Sequence, residues 1–146
     1  NILKNKKNYF SKYINKYSEF SADLYFSKDS CLKAISVRER LEIRNGEVVK
    51  SITNKLLTNK LYKYFKKIEG AKGPINIQFF YNKKKKDIYG IEINPRLGGG
   101  CTLSIRAGLN YPNLILNEYL FNKSVNDLKK INKNILMLRY DKDITI

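Results

Sequence analysis

GPINIQFFYNKKKKDIYGIEINPRLGGG, Gly73 to Gly100, is the stretch whose reading decides the fold. Apolar and polar residues alternate from Ile75 to Phe79 and again from Ile91 to Asn94, the period of half-buried strands. Ile75, Ile77 and Phe79 share one face, and Asn76, Gln78 and Phe80 the other. The Lys-rich stretch 82–87 reads as the hairpin turn. If its centre falls near Lys85, antiparallel pairing sets Gln78 opposite Glu92 and Asn76 opposite Asn94, with Gly90 on the same face as Glu92. Gln78, Glu92 and Asn94 then offer two amide oxygens and one carboxylate on one surface, a donor set suited to Mg²⁺ whose remaining ligands are phosphate oxygens and water. With a single carboxylate the missing negative charge must come from a nucleotide, so the pattern predicts a Mg-ATP site rather than a closed metal cage.

Past the hairpin, Pro95 stiffens the strand exit and Arg96 supplies a permanently charged fork that matches phosphate or carboxylate. Gly98, Gly99 and Gly100 remove side chains where backbone can approach an anion, and 102–107 reads as a short helix capped by Gly108. The competing reading of the trio is ordinary polarity on a solvated strand, and of the glycines a flexible loop.

NIQF, followed about a dozen residues later by IEINPRLGGGCTLSIRAG, resembles the C-terminal half of an ATP-grasp domain, most closely the carbamoyl-phosphate-synthase large-subunit type. The first metal position is often acidic in that family, and this branch is similar to the present chain in using glutamine there. The resemblance implies ATP and Mg²⁺, or Mn²⁺ in its place, as cofactors, with Gln78, Glu92 and Asn94 metal-associated and Gln78 and Glu92 also on the nucleotide side. It implies that Arg96 contacts the phosphoryl group or a carboxylate-like substrate. The implied chemistry is activation of a carboxylate or bicarbonate to an acyl phosphate that an amine or ammonia attacks.

Upstream, EFSADLYF (19–26) and RERLEIRNGEV (38–48) resemble the family's preceding strands. Alternation puts Glu19 and Asp23 on one face, and Glu19 is the nucleotide-side candidate. Arg38, Arg40 and Arg44 are three of the six arginines within seven residues. Their even spacing predicts one positive face, and Arg40 and Arg44 are candidates to spread triphosphate charge during transfer. The alternative is an exposed strand whose arginines pair with Glu39 and Glu42. The family's nucleotide hinge aligns with 10–14, where lysine stands in the usual acidic place and Tyr13 and Ile14 remain candidates to hold adenine through backbone groups.

The 146 residues are one domain's worth, expected as 1–146 with the resemblance covering about 9–122. An ATP-grasp ligase would carry substrate and lid subdomains before this segment, so the chain is expected to be the C-terminal part of a larger or split protein and to turn over no ATP alone. A net charge of +16 raises a basic nucleic-acid-binding module as the alternative. The excess is scattered lysine, however, and only Lys83 to Lys86 forms a run, at the expected hairpin tip. A degenerate, non-catalytic ATP-grasp fragment is the third reading.

The chain has no histidine, which removes His-bearing triads and metal clusters. Two cysteines, Cys31 and Cys101, build no disulfide framework and fit a cytoplasmic, reduced setting. No apolar run reaches the ~20 residues a membrane span requires. The rest predicts an α+β fold, a mostly antiparallel sheet with helices packed on it. Leu57, Leu61, Tyr64, Phe65 and Ile68 form a core-facing helical stripe with Thr53 or Asn54 as N-cap and Gly70 as stop. Pro112 opens a second helix to about Phe121, packing Leu114, Ile115, Tyr119 and Leu120. The stretch 124–134 reads as polar, and ILMLRY (135–140) as a last strand in which Arg139 has no assigned role.

Overall fold

The computed structural model describes residues 16–126, 129–131 and 133–140. Five long strands carry it: β1 (Ser18–Phe26), β2 (Leu32–Arg44), β3 (Glu47–Thr53), β4 (Gly73–Tyr81) and β5 (Ile88–Asn94). Two short ones follow, β6 (Lys129–Lys130) and β7 (Leu136–Leu138). Together they form one sheet in the order β5-β4-β1-β2-β3-β7, with β6 beside β2. Every pairing is antiparallel except β2 with β6. The α+β architecture expected from the patterning is therefore the observed one.

Alternation along the central strand β1 sorts the two faces. Phe20, Ala22, Leu24 and Phe26 pack with Ile35, Val37 and Phe79 under helix α1 (Lys55–Tyr62), which contributes Leu57 and Leu61. Burying each of the larger side chains contributes roughly 1.5–3 kcal/mol. On the opposite face, Tyr25, Ala34 and Ile131 form a second core with Ala107, Leu109, Tyr111 and Leu114. Those last residues belong to α3 (Tyr111–Ile115) and to the connection that leads into it from α2 (Cys101–Arg106), beginning at the cap residue Ala107. Beside that core the same face turns polar, with Asp23, Arg38 and Asn76 buried and Glu92 exposed.

Local chemistry explains the joints. Asn45 and Gly46 both take positive φ, 51° and 81°, the two-residue turn whose twist matches an antiparallel hairpin. Asn54 caps α1 by accepting from the Leu57 N–H at 2.8 Å, and Asn110 caps α3 ahead of Pro112. Asn82 organises the β4–β5 loop by accepting from the N–H groups of Lys84 and Lys85, both at 3.0 Å. From that loop Lys83 reaches back to Glu39 at 2.8 Å.

Several expectations are corrected. The α1 stripe stops at Tyr62 rather than near Gly70, because the backbone beyond it is captured by the β1–β2 turn. Leu32 N–H donates to the Lys66 carbonyl at 3.0 Å, and Ile68 N–H to Ser30 at 3.3 Å. Tyr64 is consequently 70% exposed instead of in the core. The helix entered at Pro112 becomes a π-helical turn over Leu116–Leu120, which rotates Glu118 inward and leaves Tyr119 and Leu120 exposed. There Glu118 accepts from the Tyr25 hydroxyl at 2.6 Å and the Lys28 N–H at 2.8 Å. The last strand shrinks to three residues, and the segment read as polar includes β6.

Candidate functional site

The polar middle of the second sheet face is built from two parallel rows. In each, β1 supplies a carboxylate, β2 an arginine and β4 a carboxamide.

The inner row is Asp23, Arg38 and Asn76. Asp23 pairs with Asn76 across β1–β4, and Ser21 with Arg38 across β1–β2. The Asp23 carboxylate accepts from Arg38 Nε at 2.9 Å, Asn76 Nδ2 at 2.7 Å and Ser104 Oγ at 2.6 Å. Arg38 and Asp23 are each only 2% exposed. A carboxylate with this many donors tolerates burial because its charge is matched and its lone pairs are satisfied.

The outer row is Glu19, Arg40 and Gln78. Arg40 donates to Glu19 and to Gln78 Oε1, and its Nη2 donates to the Gly46 carbonyl at 3.0 Å. Gln78 in turn donates to Glu92 on β5, whose same oxygen accepts from Asn94 Nδ2 at 2.7 Å. The β4–β5 register is the expected one: Gln78 faces Glu92, and Asn76 faces Asn94. One detail differs. A bulge at Ile91 sets Phe79 opposite Gly90 and takes Gly90 off the Glu92 face.

Gln78, Glu92 and Asn94 thus converge on one carboxylate oxygen. The two amides present nitrogen to Glu92, and the Gln78 oxygen is held by Arg40; Asn94 can turn end for end to offer its oxygen, whereas Gln78 can ligate an ion only by giving up its Arg40 bond. The donor chemistry therefore fits a hard divalent ion completed by phosphate oxygens. Among the described residues no cluster of three or more His, Cys, Asp or Glu exists.

Beside this trio lies a cavity of about 160 Å³ whose lining includes Arg38, Arg40, Arg96, Arg139, Gln78 and Gly99. Arg38 Nη1 and Arg40 Nε are buried donors without an acceptor among the described residues. Three of the four guanidinium groups are paired with carboxylates, Arg38 with Asp23, Arg40 with Glu19 and Arg139 with Glu47, which itself lines the cavity, so Arg96 supplies the unmatched positive charge there.

Two glycines of the turn have a packing role that the sequence reading did not assign. A Cβ on Gly100 would meet Arg38 Nη1 at 2.4 Å, and one on Gly98 would meet Asn76 Nδ2 at 2.7 Å. These two glycines let backbone lie on the buried inner row. Gly99 has open space and faces the cavity. Cys101, next in the chain, has its thiol pushed up by burial and then by the Asp23 charge, which disfavours a thiolate nucleophile.

The other candidates fall unevenly. Arg96 is exposed at the cavity edge, where its Nη1 donates to the Leu97 carbonyl at 3.2 Å. Arg44 is not brought to the cavity: the β2–β3 register slips between Arg40 and Glu42 and again before Ile43, so even spacing no longer means a shared face. It lies exposed, 3.5 Å from Glu42. Tyr13 and Ile14 lie outside the described residues.

Two participants were missed from the sequence. Arg139 donates to Glu47 Oε2 at 2.6 Å and to the Gly99 carbonyl at 2.8 Å, and its own N–H is held by the Val49 carbonyl at 2.8 Å. The only local signal was an arginine at the end of an apolar strand. Asn76 lies on the face that the alternation predicts, and its partner there is Asp23, which Arg38 shares. Among the described residues no helix is long and apolar enough to cross a membrane.

Comparison with known proteins agrees with this fold. Residues 12–142 match the family model described as ATP-grasp in the biosynthetic pathway with Ter operon. No curated protein matches the chain in sequence. Among solved structures, the urea carboxylase of Kluyveromyces lactis superposes with a TM-score of 0.63 at 14% identity, over 83% of this chain and 12% of that one. The N5-carboxyaminoimidazole synthetase of Staphylococcus aureus complexed with ADP gives 0.57 at 20% identity, over 83% and 34%. The biotin carboxylase of Campylobacter jejuni in its complex with β-γ-ATP gives 0.54 at 15% identity, over 70% and 25%. The chain spans about a third or less of the length of each.

Proposed function

This chain belongs to the family described as ATP-grasp in the biosynthetic pathway with Ter operon, and from that premise we propose that it supplies the Mg-ATP-binding sheet of an ATP-dependent carboxylate-activating ligase. The observation that carries the proposal is the convergence of Gln78 and Asn94 on one oxygen of Glu92, next to an arginine-lined cavity.

In this reading Gln78, Glu92 and Asn94 hold Mg²⁺, and the ion when bound supplies charge neutralisation at the terminal phosphates of ATP. Arg40 and Arg96 stand where negative charge grows as the phosphoryl group moves to a carboxylate or bicarbonate. Their fixed guanidinium donors favour the transition state without reorganisation. Glu19 holds Arg40 in place from β1 and keeps its fork aimed along the sheet face. Adenine is assigned to backbone near Tyr13 and Ile14 on the family resemblance. The acyl phosphate so formed is then open to attack by an amine or ammonia. Glutamine at the first metal position supports the carbamoyl-phosphate-synthase kind within this chemistry. The donors that close over the triphosphate are assigned to a further part of the ATP-grasp unit, so these 146 residues bind nucleotide without turning it over.

Calorimetry with a non-hydrolysable ATP analogue tests the reading. Binding is expected to require Mg²⁺ and to weaken about tenfold or more in Glu92→Ala, the scale of hydrogen bonds to charged groups. Metal-independent binding, or binding indifferent to Glu92, overturns it. Salt-steep affinity for nucleic acid that ignores Glu92 would install the basic-module alternative in its place.

A further inference from the structure

We infer that the outer edge of β7, with the groove between it and α2, is a docking site for an extended acidic polypeptide segment that adds to the sheet as a further strand. This surface lies at the opposite edge of the sheet from Glu92, and its role is independent of the ligase reading.

β5 and β7 are the outermost strands of the sheet. Outer strands present unpaired backbone groups, which proteins commonly protect with bulges, proline or charge. β5 has its bulge at Ile91. β7 pairs with β3 without a break, and its three residues are Leu136, Met137 and Leu138. The bonds to β3 fix which backbone groups are already used. Thr53 N–H donates to the Ile135 carbonyl at 3.0 Å and Arg139 N–H to the Val49 carbonyl at 2.8 Å, so the odd-numbered residues face β3. Leu136 and Leu138 therefore aim their N–H and C=O groups away from the sheet, toward the place of one more strand. These two residues and Tyr140 are 50%, 65% and 82% exposed. Three large apolar residues along an open edge mark an interaction surface.

Beside the edge, Thr102, Leu103 and Arg106 of α2 stand across from 135–140 and enclose a groove of about 530 Å³. The Thr102 hydroxyl, 3.6 Å from Met137 Sδ, ties the two walls together. Side chains of an added strand alternate, so one set enters this groove and the other lies along Leu136 and Leu138. Charge selects the occupant. Among the described residues no carboxylate lines the groove, Arg106 stands exposed in its wall, and Lys50 lies cross-strand from Leu138 on the other face. A second copy of this chain, with a net charge of +16, would bring the same cations to the two-fold axis. An acidic segment of a different chain, alternating apolar residues with carboxylates, meets them with the opposite sign.

The test titrates the 146-residue chain with a blocked synthetic hexapeptide that alternates valine and glutamate, followed by backbone NMR and amide hydrogen exchange. Saturable shifts at Leu136 and Leu138 are expected, with slower exchange of their two amides. The same peptide with every amide N-methylated keeps its charge and loses its strand donors, and is expected to bind at least about tenfold more weakly. A valine–lysine peptide is expected to lose as much. Leu138→Pro removes an outward N–H while sparing the pairing with β3, and is expected to weaken the glutamate peptide about tenfold. Arg106→Gln is expected to weaken it about threefold. Equal binding of the methylated peptide overturns the added strand, and is readable even if Leu138→Pro fails to fold. Equal binding of the glutamate and lysine peptides overturns the acidic occupant. Shifts spread over the surface lysines without Leu136 and Leu138 overturn the site itself. Concentration-dependent dimerisation that Leu138→Pro abolishes, read by sedimentation, gives the edge to a second copy and overturns the partner assigned here.

Discussion

The two rows on the polar sheet face use the same three kinds of side chain, and only one of them is available for chemistry. Asp23, Arg38 and Asn76 are sealed by Ser104 and the glycine turn; Glu19, Arg40 and Gln78 lead outward to Glu92, Asn94 and the cavity. The side chains of Arg38 and Asp23 are 2% and 3% exposed, while those of Arg40 and Glu19 are 9% and 23%. Residue type alone therefore does not separate framework from site. What separates them is how far a second layer closes over the row: α2 and the glycine turn seal the inner one, whereas the β2–β3 turn covers Arg40 of the outer one and leaves Glu19, Gln78 and Glu92 in reach of solvent.

Removing the inner carboxylate gives the largest expected effect. Asp23→Ala leaves the Arg38 guanidinium buried and unpaired, and strips partners from Asn76 and Ser104 as well. Breaking a buried pair in this way costs about 3–5 kcal/mol, measurable as a lower midpoint in urea unfolding. Glu19→Ala, the equivalent cut in the outer row, is expected to cost less, about 1–2 kcal/mol, since Arg40 keeps Gln78 and the Gly46 carbonyl as acceptors. Equal costs would erase the distinction between the rows.

Gly100→Ala comes next. The added methyl would lie 2.4 Å from Arg38 Nη1 and 2.8 Å from Val48 Cγ1, so the turn or the inner row must move. Overpacking of this sort costs about 1–3 kcal/mol. Gly99→Ala, which meets nothing within 4 Å, is expected to cost far less. The contrast between neighbouring glycines sharpens the claim that the turn is shaped by Arg38.

A pH experiment probes the lid of the inner row. Tyr111 donates its hydroxyl to the Asp23 carbonyl at 2.9 Å, and its pKa is raised by burial and by the Asp23 charge. Tyr25, against Glu118, is raised by burial first and by the Glu118 contact next. Both phenols stay protonated in the folded chain after they begin to ionise in the unfolded one. The folded state then binds more protons, so stability is unaffected below the unfolded value near pH 10 and falls as pH rises beyond it. Tyr111→Phe is expected to cost about 1 kcal/mol at neutral pH and to make the alkaline fall shallower. An unchanged alkaline limb would show that Tyr111 is not sealed.

How much of this was legible in the sequence follows from the same distinction. The pairing of Gln78 with Glu92 was readable because period-two alternation on both sides of a short polar loop leaves one register that keeps the apolar residues together. The Glu19 and Asp23 face was readable for the same reason. Gly90 and Arg44 were misplaced because a bulge changes parity without any mark in residue spacing. Tyr119 and Leu120 were misplaced because one π turn shifts the helical phase. Arg139 was missed because its partners, Glu47 and Gly99, are 92 and 40 residues away in the chain. The roles of Gly98 and Gly100 were likewise tertiary: nothing nearby in sequence announces a buried guanidinium.

Arg44 marks the small end of the scale and tests whether the outer row has a boundary. Counting by twos from Arg38 through Arg40 makes it the third member of a positive face, yet the slipped β2–β3 register leaves it at the hairpin end with a side chain 63% exposed. Its partner Glu42 is 55% exposed, and the 3.5 Å contact between them is the kind of surface pair that contributes at most a few tenths of a kcal/mol. Arg44→Ala is therefore expected to leave the urea midpoint nearly unchanged and the affinity for a Mg-ATP analogue within about twofold. Arg40→Ala in the same assay is expected to weaken the analogue about tenfold, because Arg40 alone ties Glu19, Gln78 and the Gly46 carbonyl together. A tenfold loss in Arg44→Ala would mean that the β2–β3 hairpin bends over the nucleotide when it binds, and the edge of the outer row would then have to be redrawn to include residues 42 to 44.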